Sequence, residues 1–154
     1  MVCLIRNLLR TVITRAMFVT ILYRSGNEPA AENSAFNDVE KDSYYEKAVA
    51  WASANAIVSG VPEDRFEPNE PITREQMAAI IYRFAAYKGY DTGANGSAAY
   101  EDNGEISDYA KEAVIWTSEK SIMKGNPDGT FAPKANTTRA QAAAVFMRIF
   151  ENLK

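Results

Sequence analysis

The chain has 154 residues, 47% hydrophobic and 24% charged, with a formal net charge of −3 at pH 7. Histidine is absent and cysteine occurs once, at Cys3. This removes the commonest general base, the commonest metal ligand, any internal disulfide and a cysteine-based zinc site. The acidic balance argues against wholesale nucleic-acid binding, and no catalytic residue, cofactor or metal site is expected.

In chain order, Met1 to Tyr23 is apolar-rich but interrupted by Arg6, Arg10 and Arg15. Its longest uncharged run, Ala16 to Tyr23, falls far short of the ~20 apolar residues a membrane span takes. The order of charges also differs from that of a secretory signal, so neither a membrane span nor an intact export signal is expected. A helix opened by Thr14-Arg15 is expected to bury Phe18, Ile21 and Leu22. A second, beginning near Ser43, places Tyr45, Ala48, Val49 and Ala52 at i, i+3, i+4 and i+7. Gly60, Pro62 and Pro68 mark an ordered loop. From Thr73 a third helix carries Met77, Ile80, Ile81 and Phe84 on one face. Gly89 to Ala99 reads as a flexible connector. The pattern then returns as Ala113, Val114 and Thr117, followed by Ala142, Val145, Phe146 and Ile149. Helices this short are marginal alone, so their apolar faces must pack on one another.

The return is an internal duplication. Trp51, Gly60, Phe66, Pro68, Thr73, Arg74 and Arg83 recur 65 residues later as Trp116, Gly125, Phe131, Pro133, Thr138, Arg139 and Arg148. Residues 45–84 and 110–149 share 15 identities in 40 positions without a gap. A partial copy precedes both: Ile13-Thr14-Arg15 through Tyr23-Arg24 parallels Ile72-Thr73-Arg74 through Tyr82-Arg83. No Trp, Gly or Phe-x-Pro precedes it, and residues 1–12 fit no part of the pattern. The organisation expected is a truncated first repeat at 1–28, a second at 34–88, the connector at 89–99 and a third at 100–154.

Thr73-Arg-Glu-Gln76 and Thr138-Arg-Ala-Gln141 fit the capping box, in which Thr and Gln satisfy each other's backbone N–H groups. Met17 stands in the Gln position of the first copy. The Arg at the first helical position is not explained by capping, because a cation there opposes the helix dipole. Two partners fit: a bound carboxylate or phosphate, or an Asp or Glu of a neighbouring repeat. Trp51 and Trp116 lie in helices beside apolar positions, which suits a place in the core, and Asp38 and Asp102 can cap the helices that follow. Phe66 and Phe131 read as loop anchors.

The order Phe36-Asn-Asp38-Val39, Ala48-Val49-x-Trp51, Ile57-Val58-x-Gly60, Phe66-x-Pro68 and Ile72-Thr73-Arg74 resembles the S-layer homology domain. The last repeat does so again, as Tyr100-Glu-Asp102, Ala113-Val114-x-Trp116, Ile122-Met123-x-Gly125, Asp128-Gly129-Thr130-Phe131-x-Pro133 and Thr138-Arg139. The resemblance spans roughly residues 13–26 and 36–153. It implies an all-α fold of helix-loop-helix repeats packed as a pseudo-threefold bundle. It also implies a non-catalytic, extracellular anchor in the bacterial cell wall or S-layer. The implied partner is a secondary cell-wall polymer bearing pyruvate on an amino sugar, bound in grooves between repeats. The residues that map onto the family's ligand-binding positions are Arg15, Arg74 and Arg139, with Trp51, Trp116, Gly60, Gly125, Asp38 and Asp102. With the first repeat incomplete, one competent groove is expected, between the second and third.

Two other readings fit parts of the pattern. A calcium loop at Asn126-Pro127-Asp128-Gly129-Thr130 lacks evenly spaced oxygen ligands and a distal bidentate Glu, and its counterpart Glu63-Asp64-Arg65 brings in a cation. The stronger alternative is a protein-interaction or self-assembly module, associating through the edge that the incomplete first repeat leaves.

Overall fold

The computed structural model describes the backbone of residues 2–97 and 99–153 and the side chains of 4–97 and 99–153. The Cys3 side chain and Ala98, within the expected connector, therefore lie outside the described residues. The described residues are helical: α1 (Val2–Arg10), α2 (Arg15–Ser25), α3 (Glu46–Ala54), α4 (Arg74–Tyr87), α5 (Lys111–Glu119) and α6 (Arg139–Asn152). Extended backbone occurs there only as isolated bridges, such as Thr14 with Pro71 and Thr73 with Asn136. No helix among them is long and apolar enough to cross a membrane.

The helix starts follow the local chemistry. Thr73 Oγ1 accepts from Gln76 N at 3.3 Å while Gln76 Oε1 accepts from Thr73 N at 3.0 Å, and Thr138 and Gln141 repeat the exchange in α6. In α2 only the Thr14 half exists, accepting from Met17 N. The second helix begins at Glu46, three residues later than its periodicity suggested. Tyr45 makes no side-chain cap; instead Glu46 Oε2 accepts from Asp42 N at 2.7 Å. Both α3 and α5 end in a Schellman turn. Ile57 N donates to the Ala52 carbonyl and Ile122 N to the Thr117 carbonyl. The residues that turn the chain, Ala56 and Ser121, are left-handed (φ 55° and 54°) without being glycine.

The chain divides into two compact units, residues 13–71 and residues 1–12 with 72–154. The division falls between the loop and the second helix of a repeat, so a compact unit joins one repeat's second helix to the next repeat's first. In the shorter unit α2 packs on α3, and Phe18, Val19, Leu22, Val49, Trp51, Ile57 and Phe66 are buried. In the longer unit α4 packs on α5, burying Met77, Ile81, Val114, Trp116, Ile122 and Phe131. Every apolar position assigned to α3, α4, α5 and α6 from periodicity is buried. In α2 Phe18 and Leu22 are buried, but Ile21 is 40% exposed because the buried stripe runs through Val19 instead.

Within the stretch that matched no part of the repeat, α1 (Val2–Arg10) lies against α6 in the longer unit. Its described side chains, Leu4 to Arg10, are all exposed.

Candidate functional site

Each joint between consecutive repeats is built around the Arg that opens a second helix. Arg74 Nε donates to the Phe131 carbonyl at 2.6 Å and its Nη2 to the Lys124 carbonyl at 2.9 Å. Its Cζ stands 4.8 Å from the centroid of the Phe131 ring. The other terminal nitrogen, Nη1, has no acceptor among the described residues. Burial pushes the guanidinium pKa below its ordinary value, with Tyr100 and Asp102 acting in the opposite direction. The joint in the shorter unit has the same form: Arg15 Nε donates to the Phe66 carbonyl at 2.8 Å, and Cζ lies 4.8 Å from that ring. These arginines thus hydrogen-bond a backbone carbonyl and lie over a ring of the next repeat, with Asp102 adding charge attraction at Arg74.

The helix N-termini are occupied in the same way. In α2 the amides of Arg15 and Ala16 donate to the carbonyls of Glu70 and Pro68. In α4 those of Arg74 and Glu75 donate to Ala135 and Pro133. These bonds and the caps satisfy the first amides of each helix. A third joint keeps part of the pattern, with Arg139 N donating to the Thr11 carbonyl at 2.9 Å. All three acceptors of the Arg amide stand three residues before a helix-opening Thr: Glu70 before Thr73, Ala135 before Thr138 and Thr11 before Thr14. Arg139 itself is exposed, whereas Arg15 and Arg74 are buried.

The acids at equivalent repeat positions hold the loop that feeds each joint. Asp102 Oδ1 and Oδ2 accept from Phe131 N and Ala132 N at 2.8 and 2.7 Å. Asp38 does the same for Phe66 N and Glu67 N, both at 2.7 Å. Neither caps the helix that follows. The middle residues of Phe-x-Pro, Glu67 and Ala132, are left-handed (φ 58° and 55°). Such a conformation costs a non-glycine residue about 1–2 kcal/mol, which the charge-assisted bonds offset.

Gly60 and Gly125 answer to aromatic packing. A Cβ on Gly125 would lie 2.5 Å from Tyr100 Cε1 and 3.1 Å from the Thr130 carbonyl oxygen. On Gly60 it would lie 2.5 Å from Phe36 Cε1. Those aromatics in turn pack on Phe131 and Phe66. Trp116 is fully buried, edge-on to Tyr82 at 5.7 Å, and its N–H donates to the Asp91 carbonyl at 3.0 Å. Trp51 is 2% exposed and packs on Tyr23 at 5.6 Å. Neither indole presents an open face. Asp128 sits in its own turn, accepting from Thr130 N and Oγ1.

A further group was missed from sequence. The Glu75 carboxylate, 3% exposed, receives Lys134 Nζ at 2.5 Å, Ser107 N and Oγ at 2.9 Å each, and Tyr109 OH at 3.3 Å. Burial pushes its pKa up, but the bonds from Lys134 and Ser107 outweigh that and hold it below the ordinary carboxylate value. The signal was available in the repeat itself, where Glu75 stands at the position of Ala16 and Ala140.

Comparison with known proteins matches the S-layer homology domain model to residues 35–78 and 99–143. The chain belongs to the S-layer homology domain family. Among its relatives, an exoglucanase XynX of Acetivibrio thermocellus is 33% identical over 141 residues, 90% of this chain and 13% of that protein. A surface-layer 125 kDa protein of Lysinibacillus sphaericus is 29% identical over 150 residues, 96% of this chain and 12% of its own length. A cellulosome-anchoring protein of A. thermocellus is 32% identical over 97 residues, 63% of this chain and 22% of its length. The chain thus spans less than a quarter of each of these relatives. The S-layer homology match covers most of both complete repeats, including Trp51 with Trp116 and Arg74 with Arg139.

Proposed function

We propose that this S-layer homology chain is a non-catalytic anchor that holds its parent protein at the bacterial cell surface by binding a wall polysaccharide. An exoglucanase, a surface-layer protein and a cellulosome-anchoring protein among its relatives all carry a segment similar to this chain. That is the distribution expected of an attachment module.

The binding chemistry proposed is recognition of a carboxylate, such as pyruvate carried on an amino sugar, at the joint between the second and third repeats. The observation that carries this is the state of Arg74. Two carbonyls and a ring fix its guanidinium, while Nη1 has no acceptor among the described residues, so a cation is oriented in advance with donor capacity unused. Lys124, whose carbonyl receives Nη2, adds an exposed lysine to the same joint. Asp102, Gly125 and Trp116 act one step back, building the loop and core that hold Arg74 in place.

The test is affinity for purified wall polymer with and without its pyruvate, measured for the parent chain, Arg74→Lys and Lys124→Ala. Arg74→Lys keeps the charge but loses the fork, and Lys124→Ala leaves the core untouched. A tenfold or larger loss on removing pyruvate, matched by a loss in both variants, supports the carboxylate reading. Equal binding to both polymers overturns that reading, and no binding to either overturns the anchor.

A further inference from the structure

Asparagine is followed by glycine twice in the chain, at Asn95-Gly96 and at Asn103-Gly104. This dipeptide carries a chemistry of its own. The glycine nitrogen can attack the side-chain carbonyl carbon of the asparagine, because the attacking residue has no Cβ to hinder the approach. Closing that five-membered ring takes the asparagine ψ out of the helical region. It also takes the glycine N–H out of any hydrogen bond it makes. Two sites of identical sequence are therefore separated by what holds their backbone.

Both asparagines and both glycines are exposed, and Gly96, Asn103 and Gly104 border one cavity of about 440 Å³. Space and access to water do not distinguish them. The backbone does. Asn103 opens a 3-10 turn, Asn103–Glu105. Its N–H donates to the Tyr100 carbonyl at 3.2 Å, its carbonyl accepts from Ile106 N at 3.3 Å, and Glu105 N donates to the Asp102 carbonyl at 2.9 Å. The turn is tied down again by the Asp102 carboxylate, which holds the Phe131 and Ala132 amides. Asn95 lies outside any helix or turn. Among the described residues no hydrogen bond holds its amide or the Gly96 N–H. The nearest atoms that a Cβ on Gly96 would meet all belong to the flexible Glu119 side chain, so no rigid group confines this site.

We propose that Asn95 is a self-modifying site, converted through Gly96 to aspartate and isoaspartate, while the 3-10 turn protects Asn103. The Gly96 nitrogen, its proton taken by solvent base, attacks Asn95 Cγ. The N–Cγ bond forms, the Cγ–Nδ2 bond breaks, and the amide nitrogen leaves as ammonia with a proton returned from the base. Water then opens the ring. Attack at Cγ breaks the new N–Cγ bond and leaves aspartate. Attack at the Asn95 main-chain carbonyl breaks the original peptide bond and leaves isoaspartate, with the chain running through the former side chain. One water enters, one ammonia leaves, and nothing is oxidised or reduced. Either product adds a negative charge next to Gly96, where the Glu119 carboxylate already lies, and the like charges repel. Isoaspartate also lengthens the main chain by one methylene between two anchors: Asp91, whose carbonyl accepts the Trp116 N–H, and Tyr100, which packs on Phe131.

The test is incubation of the full 154-residue chain at mildly alkaline pH, read by mass spectrometry against an unincubated control. The tryptic peptide of residues 89–111 carries both asparagines, so its fragments compare the two sites in one spectrum. Each conversion adds about 1 Da, the difference between an amide and an acid. In the folded chain Asn95 should convert about tenfold faster than Asn103, and in urea the two rates should come within about threefold, since the turn is gone. Gly96→Ala should slow conversion of Asn95 about tenfold, whereas Gly104→Ala should leave it within about threefold. Equal rates in the folded chain, or a faster Asn103, overturn the proposal. So does an Asn95 that stays intact over a time in which the unfolded chain is converted. A difference as large in urea as in the folded chain overturns the protection assigned to the turn.

Discussion

Arg74 and Phe131, 57 residues apart, are joined twice: the guanidinium sits over the ring at 4.8 Å, and its Nε donates to that residue's own carbonyl at 2.6 Å. The pair fixes the start of one repeat's second helix to the loop of the next. Removing either side therefore breaks a joint between repeats as well as a local contact.

Arg74→Ala should destabilise the fold by about 2–4 kcal/mol, because it leaves the Phe131 and Lys124 carbonyls without their charged donor. Arg139→Ala, at an exposed position, should cost under about 1 kcal/mol. Urea unfolding of both variants checks the contrast. Equal losses would mean that burial at the Arg74 joint does not carry the energy assigned to it.

Asp102→Ala should be comparably damaging. It frees the Phe131 and Ala132 amides and leaves Ala132 at a left-handed φ with nothing to hold it. A loss of about 2–4 kcal/mol is expected. Hydrogen exchange at those two amides should rise in the variant even under conditions where the helices remain protected.

Gly125→Ala should cost about 1–3 kcal/mol through overpacking against Tyr100. Combined with Tyr100→Leu, whose side chain can recede, the added cost of the alanine should shrink. A double-mutant cycle measures this, and strict additivity would show that the Thr130 carbonyl, not the ring, sets the limit.

The opposite sign is expected at the Schellman turns. Ala56→Gly and Ser121→Gly should each stabilise by about 0.5–1 kcal/mol, since both residues occupy a left-handed conformation that glycine adopts without penalty. A rise in melting temperature for the pair would confirm it; a fall would show that unfolded-state entropy outweighs the relieved strain.

Stability should also depend on Glu75. Its folded pKa lies below the ordinary 4.5, so the unfolded chain binds its proton first as pH falls. Its contribution is fully present above that ordinary value and is lost as pH drops through the lower folded one. Glu75→Gln should flatten the acid limb of a stability-versus-pH profile while leaving the neutral-to-alkaline slope unchanged. Lys134→Met should weaken the same limb, since Lys134 supplies one of the bonds that lower the pKa.

The repeat, its helices and most of its buried positions were legible because they depend on local rules. Periodicity placed Met77, Ile80, Ile81 and Phe84 in the core, and Thr with Gln announced both capping boxes. Ile21 was misplaced because a period of 3.6 leaves a stripe's edge ambiguous by one residue. The roles of Asp38 and Asp102 were not legible, since their partners are main-chain amides 28 to 30 residues away and a sequence does not mark amides.

The sequence by itself determined the family, the all-α class and the fact that an Arg at each helix start needed a partner. Only the tertiary structure decided that for Arg15 and Arg74 the partner is the carbonyl and ring of the next repeat's Phe. It likewise decided that Ala143, Met147 and Phe150 are exposed among the described residues, where Ala78 and Ala85 of the preceding repeat are buried. The physical reason is the same in both cases. Helix-forming and capping preferences are written in neighbouring residues, whereas the satisfaction of a buried guanidinium and the covering of an apolar face depend on groups brought together only when repeats pack.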